Sequence, residues 1–355
     1  MAVIRINAAR TGELMLAGGD PDWRRPIDAA LAALPSGAPV TVVVHGYRYA
    51  PRADGRLGGP HCPHGLLYRA DDIGPNPRAK RPPLSAWPHA LGFREDGAAT
   101  GLCIAFGWDA RRGRGAALID VGRNDFAAVY ADAAIAGRAL ARIFGLIGRR
   151  RPLRLTSAMA HSLGARVVLR AMAERPDAAP GRVLLLGAAE YAGEARRLLA
   201  DQDRGGRRRA DLPEVLSVSS RANDFYDWLF ELFAPKPRQR GDRPLGARGL
   251  GIPHLRWMDI ELDHPDLARW LSAQGLHLTR LPERVTHWSF YSDPGAMLFW
   301  SRVLRGQPGW DLAGLRARRI PETRSARWSR MPQLLPRLRL RGGGVGGGPA
   351  EITQS

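Results

Sequence analysis

Ser162 stands in MAHSLGARVVLRA (residues 159–171), where an apolar, β-leaning run ends and apolar residues begin to recur at helical spacing: Leu163, Val167, Val168, Ala171. That pattern predicts a strand running into a helix with the serine at the corner. Ala160 and Gly164, two residues to either side, are small, as the tight turn of a nucleophile elbow requires. Such a turn holds the hydroxyl exposed in a strained backbone position. It also places the Leu163 amide at a helix N-terminus, where N–H groups and the helix dipole favour an oxyanion. A serine nucleophile needs a base to take its proton and an acid to orient that base. The candidate acids after it are Glu190, Asp224, Asp227 and Asp263. Asp224 is preferred, because it sits just past the strand expected at 215–219, although aspartate is also favoured as a helix N-cap. Asp227 is expected to point elsewhere on the helix that begins there, and Glu190 lies one strand early. Two histidines compete as base. His264 directly follows the strand-like RWMDIEL, but it precedes Pro265 between Asp263 and Asp266, which suits a helix-start turn with a solvated ring. His287 sits beside Trp288, Phe290 and Tyr291. These would hold its loop down and fix one ring rotamer, as a general base requires, so His287 is preferred.

The elements that must position these groups follow in order. AVIRINA and ELMLAG read as an antiparallel hairpin, and residues 26–34 as a short helix. VTVVV (residues 40–44) is a β-branched run of the kind buried on both faces of a parallel sheet. It ends in His45, Gly46 and Tyr47; the glycine permits a sharp turn that leaves the Tyr47 amide pointing into a cleft, a second oxyanion donor. Residues 101–108 predict the next buried strand and 120–150 a long amphipathic helix. Strands are expected at 153–160, 183–186, 215–219 and 256–262, with helices at 191–199, after 223–224, at 265–272 and at 294–304. Strand and helix alternating in this way imply a mostly parallel central sheet with helices on both faces and function at the carboxyl ends of the strands. Residues 50–100 lack periodicity and are rich in Pro, Gly, Arg and His; a loop of that length is expected to be a lid. Its HCPHG (residues 61–65) offers nearby histidines and a cysteine, but no full tetrahedral ligand set is visible, so it is assigned to the lid and no metal is expected. The domain is expected to span 1–306, with a disordered Arg/Pro/Gly-rich tail at 307–355.

Composition narrows the class. The chain has 355 residues, is 45% hydrophobic and carries a formal charge of +19. Lysine occurs only at Lys80 and Lys236, and the arginines are scattered over the whole chain. No interleaved basic and aromatic platform is present, so nucleic acid is not the expected partner. The two cysteines, Cys62 and Cys103, make no disulfide framework. With no signal-peptide pattern and no bilayer-spanning apolar run, a soluble cytoplasmic protein is expected.

VTVVVHGYR, FGW, AHSLGARVVL, SSRANDF and THWSFYSDPG together resemble a group of bacterial α/β-hydrolases of the esterase and lipase type, over residues 40–304. The resemblance implies the α/β-hydrolase fold, with Ser162, Asp224 and His287 as the triad and Tyr47 and Leu163 as oxyanion amides. The chain departs from the group at Thr286, where glycine is usual. The implied activity is cleavage of a small-molecule carboxylic ester through an acyl-enzyme on Ser162, without cofactor. The alternatives are a binding protein that kept the fold without turnover, and a cationic adaptor on anionic lipid or nucleic acid.

Overall fold

The computed structural model describes residues 3–52, 59–69, 86–94, 101–112, 125–206, 208, 211–279 and 285–323. Eight strands form one sheet: β1 (Val3–Ala8), β2 (Leu14–Leu16), β3 (Val40–Val44), β4 (Leu102–Trp108), β5 (Thr156–His161), β6 (Arg182–Leu186), β7 (Glu214–Ser219) and β8 (Trp257–Glu261). Their order across the sheet is β2-β1-β4-β3-β5-β6-β7-β8. Every neighbouring pair is parallel except the β1–β2 hairpin.

The strands are apolar on both sides because each side has its own core. Side chains alternate along a strand, so Val42 and Val44 enter one core while Val43 enters the other. The first core packs under the helices Arg24–Ala33, Asp125–Arg150, Gly164–Glu174 and Ala192–Arg204. The second packs under Pro265–Ala273, Pro294–Leu304 and Leu312–Ala317. From β3 the chain crosses to β4 on one side, and from β5 it crosses to β6 on the other. The carboxyl ends of β3 and β5 therefore flank the switch point of the sheet, where a crevice opens in folds of this class.

Two expectations need correcting. Much of the lid is core: Leu67, Tyr68, Trp87, Leu91 and Phe93 are fully buried in the second core, with Leu91 O accepting from Ser301 Oγ at 3.0 Å. The segments hold only four-residue helices, Pro63–Leu66 and Trp87–Ala90, too short to leave a period in the sequence. The rest of the expected lid, 53–58, 70–85 and 95–100, lies outside the described residues. The tail also begins later than 307. Trp310, Leu312, Leu315 and Ile320 are buried, and the Arg318 guanidinium lies 4.2 Å from the centre of the Trp310 ring. In this stretch arginine covers apolar surface, so an Arg-rich composition does not signal disorder. The expected disorder at 324–355 falls outside the described residues. Among the described residues no helix is long and apolar enough to cross a membrane.

Burial of histidine makes the fold acid-sensitive. His45 is fully enclosed, and burial pushes its imidazole down to about 4 from an ordinary 6.5. The unfolded chain then binds the proton more readily than the folded one, so stability is complete above pH 6.5 and falls as pH drops toward 4. His45 alone is expected to remove about 3 kcal/mol across that window. Burial lowers His64 and His161 in the same sense. Urea midpoints measured from neutral to mildly acidic pH should fall steadily; a flat profile would contradict this.

Candidate active site

The site grows from two turns that nest against each other. At the end of β5 the chain turns at Ser162, whose φ of 54° is left-handed, a costly conformation for a residue with a Cβ. Ser162 N–H donates to Leu186 O at 2.9 Å and Ser162 O accepts from Ala189 N–H at 3.1 Å, so the loop after β6 pins the strained residue. Gly46, after β3, lies directly against this corner. A Cβ on Gly46 would stand 2.7 Å from Ser162 Cβ and 2.8 Å from His161 O. A Cβ on Gly164 would stand 2.6 Å from His45 O and 2.7 Å from Val44 O. Each turn requires its glycine because the other turn occupies the space.

His45 holds the first turn in place. Its Nδ1–H donates to Gly46 O at 2.9 Å, and its Nε2 accepts from Trp108 N–H at 3.0 Å. Trp108 Nε1–H donates back to His45 O at 3.0 Å, and the two rings stack 10° from parallel. With both ring nitrogens committed in a buried setting, His45 is a neutral structural group that ties β3 to β4. Beyond Gly46 the Tyr47 amide, and beyond Ser162 the Leu163 amide, make no hydrogen bond to an acceptor among the described residues. Leu163 directly precedes the eleven-residue helix Gly164–Glu174.

His287 is brought to this corner by its neighbours. His161 Nε2–H donates to His287 O at 2.9 Å, with the two rings 4.4 Å apart. Tyr226 also stacks on the His287 ring, 4.5 Å away and 22° from parallel. Thr286 N–H donates to Ala222 O at 2.9 Å, tying the loop to the 220–223 turn. The turn is itself held by Asp263, whose oxygens accept from Arg221 N–H at 3.0 Å and Ala222 N–H at 3.2 Å.

The group that meets His287 Nδ1 is Asn223 Oδ1, 2.5 Å away. Asn223 Nδ2–H in turn donates to Asp227 Oδ1 at 3.0 Å. Asp224, the expected acid, is buried as the first residue of the helix Asp224–Phe233, one residue past the position that meets the imidazole. Burial pushes the His287 imidazole down to about 3, so the ring is neutral at neutral pH. Burial pushes the Asp227 carboxyl well above the usual carboxylate range, against the pull of the Asn223 amide.

The other candidates have different duties. Glu190 accepts from Tyr130 Oη at 2.5 Å, from Tyr191 N–H at 2.8 Å and from Arg166 Nη1 at 2.6 Å. It is a buried tie between the helices Asp125–Arg150 and Gly164–Glu174. His264 caps the helix Pro265–Ala273, its Nδ1 accepting from Asp266 N–H at 3.2 Å, and its side chain is 40% exposed. His64 Nε2 pairs with Asn7 Oδ1 at 2.6 Å, and no group of three metal-ligating side chains occurs among the described residues. His161 and Asn223 are not among the residues expected at the site, although each is adjacent to one that is.

Ser162, the two amides, His287 and Asn223 thus come from the ends of β3, β5 and β7 and one late loop, all on one edge of the sheet. Such a set can supply a nucleophile, oxyanion donors, a neutral base and a group that orients the base. Comparison with models of known protein families gives no match, and neither does comparison with curated proteins.

Proposed function

We propose that the protein is a serine hydrolase of the α/β-hydrolase type that cleaves a small-molecule carboxylic ester. One observation carries this reading: Ser162 is held at a left-handed φ of 54° on the strand–helix corner, with Gly46 packed against it. Strain of order 1–3 kcal/mol persists where surrounding structure over-determines it, and it collects at active sites. In this reading His287 Nε2 takes the proton from Ser162 Oγ as that oxygen attacks the ester carbonyl. The tetrahedral oxyanion receives hydrogen bonds from the Tyr47 and Leu163 amides. Collapse passes the proton from Nε2 to the leaving alcohol and leaves the acyl group on Oγ. A water, deprotonated by the same nitrogen, then releases the acid. No hydrogen bond reaches the Ser162 hydroxyl among the described residues, and nucleophile–base contacts are often long until substrate binds. Asn223 stands where a triad carries its acid, an arrangement with a precedent in Cys-His-Asn proteases. A cytoplasmic location belongs to the same proposal.

The amide at His287 Nδ1 also favours a second reading, a binding protein on this fold without turnover. A fluorophosphonate probe separates the two. The hydrolase reading expects covalent labelling of Ser162, located by peptide mass spectrometry and absent in Ser162→Ala, together with turnover of p-nitrophenyl esters. A folded wild-type protein that is neither labelled nor active would leave the binding reading.

A further inference from the structure

Asn223 and Asp227 are four residues apart at the start of one helix, so their side chains stand one above the other on the same face. Asn223 Nδ2–H donates to Asp227 Oδ1 at 3.0 Å while Asn223 Oδ1 meets His287 Nδ1 at 2.5 Å. A side-chain amide has one donating end and one accepting end, whereas an ionised carboxylate can only accept. A carboxylate at one end of the amide therefore decides which end faces the imidazole. With the amide oxygen at Nδ1, that nitrogen must carry the ring proton, and Nε2 keeps its lone pair for the serine. We propose that Asp227 is a positioning residue that sets the tautomer of His287 through Asn223. It performs at one remove what an acid in direct contact with the imidazole does in a Ser-His-Asp triad. Its consequence for turnover rests on the serine hydrolase reading; its effect on the tautomer does not.

The seat of Asp227 is shaped for this. The residue is 5% exposed, and Gly246 closes over it so tightly that a Cβ there would collide with the carboxylate. Glu231, one turn further on, is paired with Arg243 at 2.8 Å, yet its charge still faces Asp227. Burial works against the Asp227 charge, the Asn223 amide works for it, and the Glu231 charge adds to the effect of burial. When Asp227 holds a proton the amide is free to turn and offer its N–H₂ to the ring, which would move the ring proton to Nε2 and disable the base.

The test reads the tautomer directly. In full-length protein with ¹⁵N-labelled histidine, at alkaline pH, the His287 signals are assigned by their loss in His287→Gln. The wild type is expected to show the Nδ1–H form. In Asp227→Asn both amides can turn, so the Nε2–H form should gain population. kcat should fall about 10–100-fold, the usual range for a group that orients a functional ligand, with KM unchanged. In Asn223→Asp/Asp227→Asn the carboxylate touches Nδ1 directly, and both the tautomer and most of kcat should return. An Nε2–H ring in the wild type overturns the proposal, and this measurement stands even where a variant does not fold. Asp227→Asn with unchanged tautomer and kcat overturns it too, as does a folded double variant that keeps mixed tautomers. A tautomer that follows Asp227 in a protein no fluorophosphonate labels would support the proposal while rejecting the hydrolase reading.

Discussion

Ser162→Ala is expected to reduce ester turnover by about 10⁶-fold, the scale seen when the serine of a triad is removed, while leaving the melting temperature nearly unchanged. The fold should tolerate the change because, among the described residues, Ser162 makes its hydrogen bonds through its backbone, to Leu186 O and from Ala189 and Ala165 N–H. Alanine keeps those bonds and also keeps the Cβ that makes a φ of 54° costly. Ser162→Gly separates strain from chemistry. It should be equally inactive yet more stable than Ser162→Ala by up to about 1 kcal/mol, because glycine enters the left-handed region without penalty. Kinetics on p-nitrophenyl esters and thermal unfolding of both variants check this. An alanine variant near wild-type rate would remove the nucleophile from the proposal. A glycine variant less stable than the alanine one would remove the strain.

In the proposed hydrolase His287→Ala should cost nearly as much as the loss of the serine, since a nucleophile and its base act as a unit and removing either disables both. The ring packs against His161 and Tyr226, and its Nδ1 is engaged by Asn223. A ring held by three contacts is restricted to one orientation, which is what a general base requires. His264→Ala provides the contrast. His264 accepts from Asp266 N–H as the cap of Pro265–Ala273, and losing it should cost about 1 kcal/mol of stability and little activity. The pair is scored by kcat and melting temperature together. An active His287→Ala beside a dead His264→Ala would reverse the assignment and require the loop after β8 to reach the elbow.

The Ser162 elbow, the β3 turn and the alternation that builds the sheet were legible because each is a local pattern. VTVVV is buried at all five positions because strands on both sides and cores above and below leave it no wet face. Small residues flank Ser162 because the turn itself is tight, so motif and geometry are one fact. The short helices at 63–66 and 87–90 left no such mark. Apolar residues too few to form a period can still be core when the sheet supplies the rest of their contacts. Trp310, Leu312, Leu315 and Ile320 were hidden in the same way by the arginines around them.

The sequence by itself determined that a strained serine would stand at the edge of a parallel sheet, and it offered a late histidine flanked by aromatic residues as the candidate base. Which group meets that histidine was decided only in three dimensions. Asn223, Asp224 and Asp227 are close in sequence, but successive residues of a helix point about 100° apart, so adjacent side chains cannot share a target. The phase of that helix is set by Asp263 holding the turn before it and by Thr286 N–H bonding Ala222 O. Those two long-range ties turn Asn223 toward the imidazole and place Asp227 one turn behind it. Glu190 was removed from contention in the same manner, by Arg166 and Tyr130 arriving from two other helices. Residue type and spacing thus state which chemistry is available, and contacts distant in sequence choose the atom that performs it.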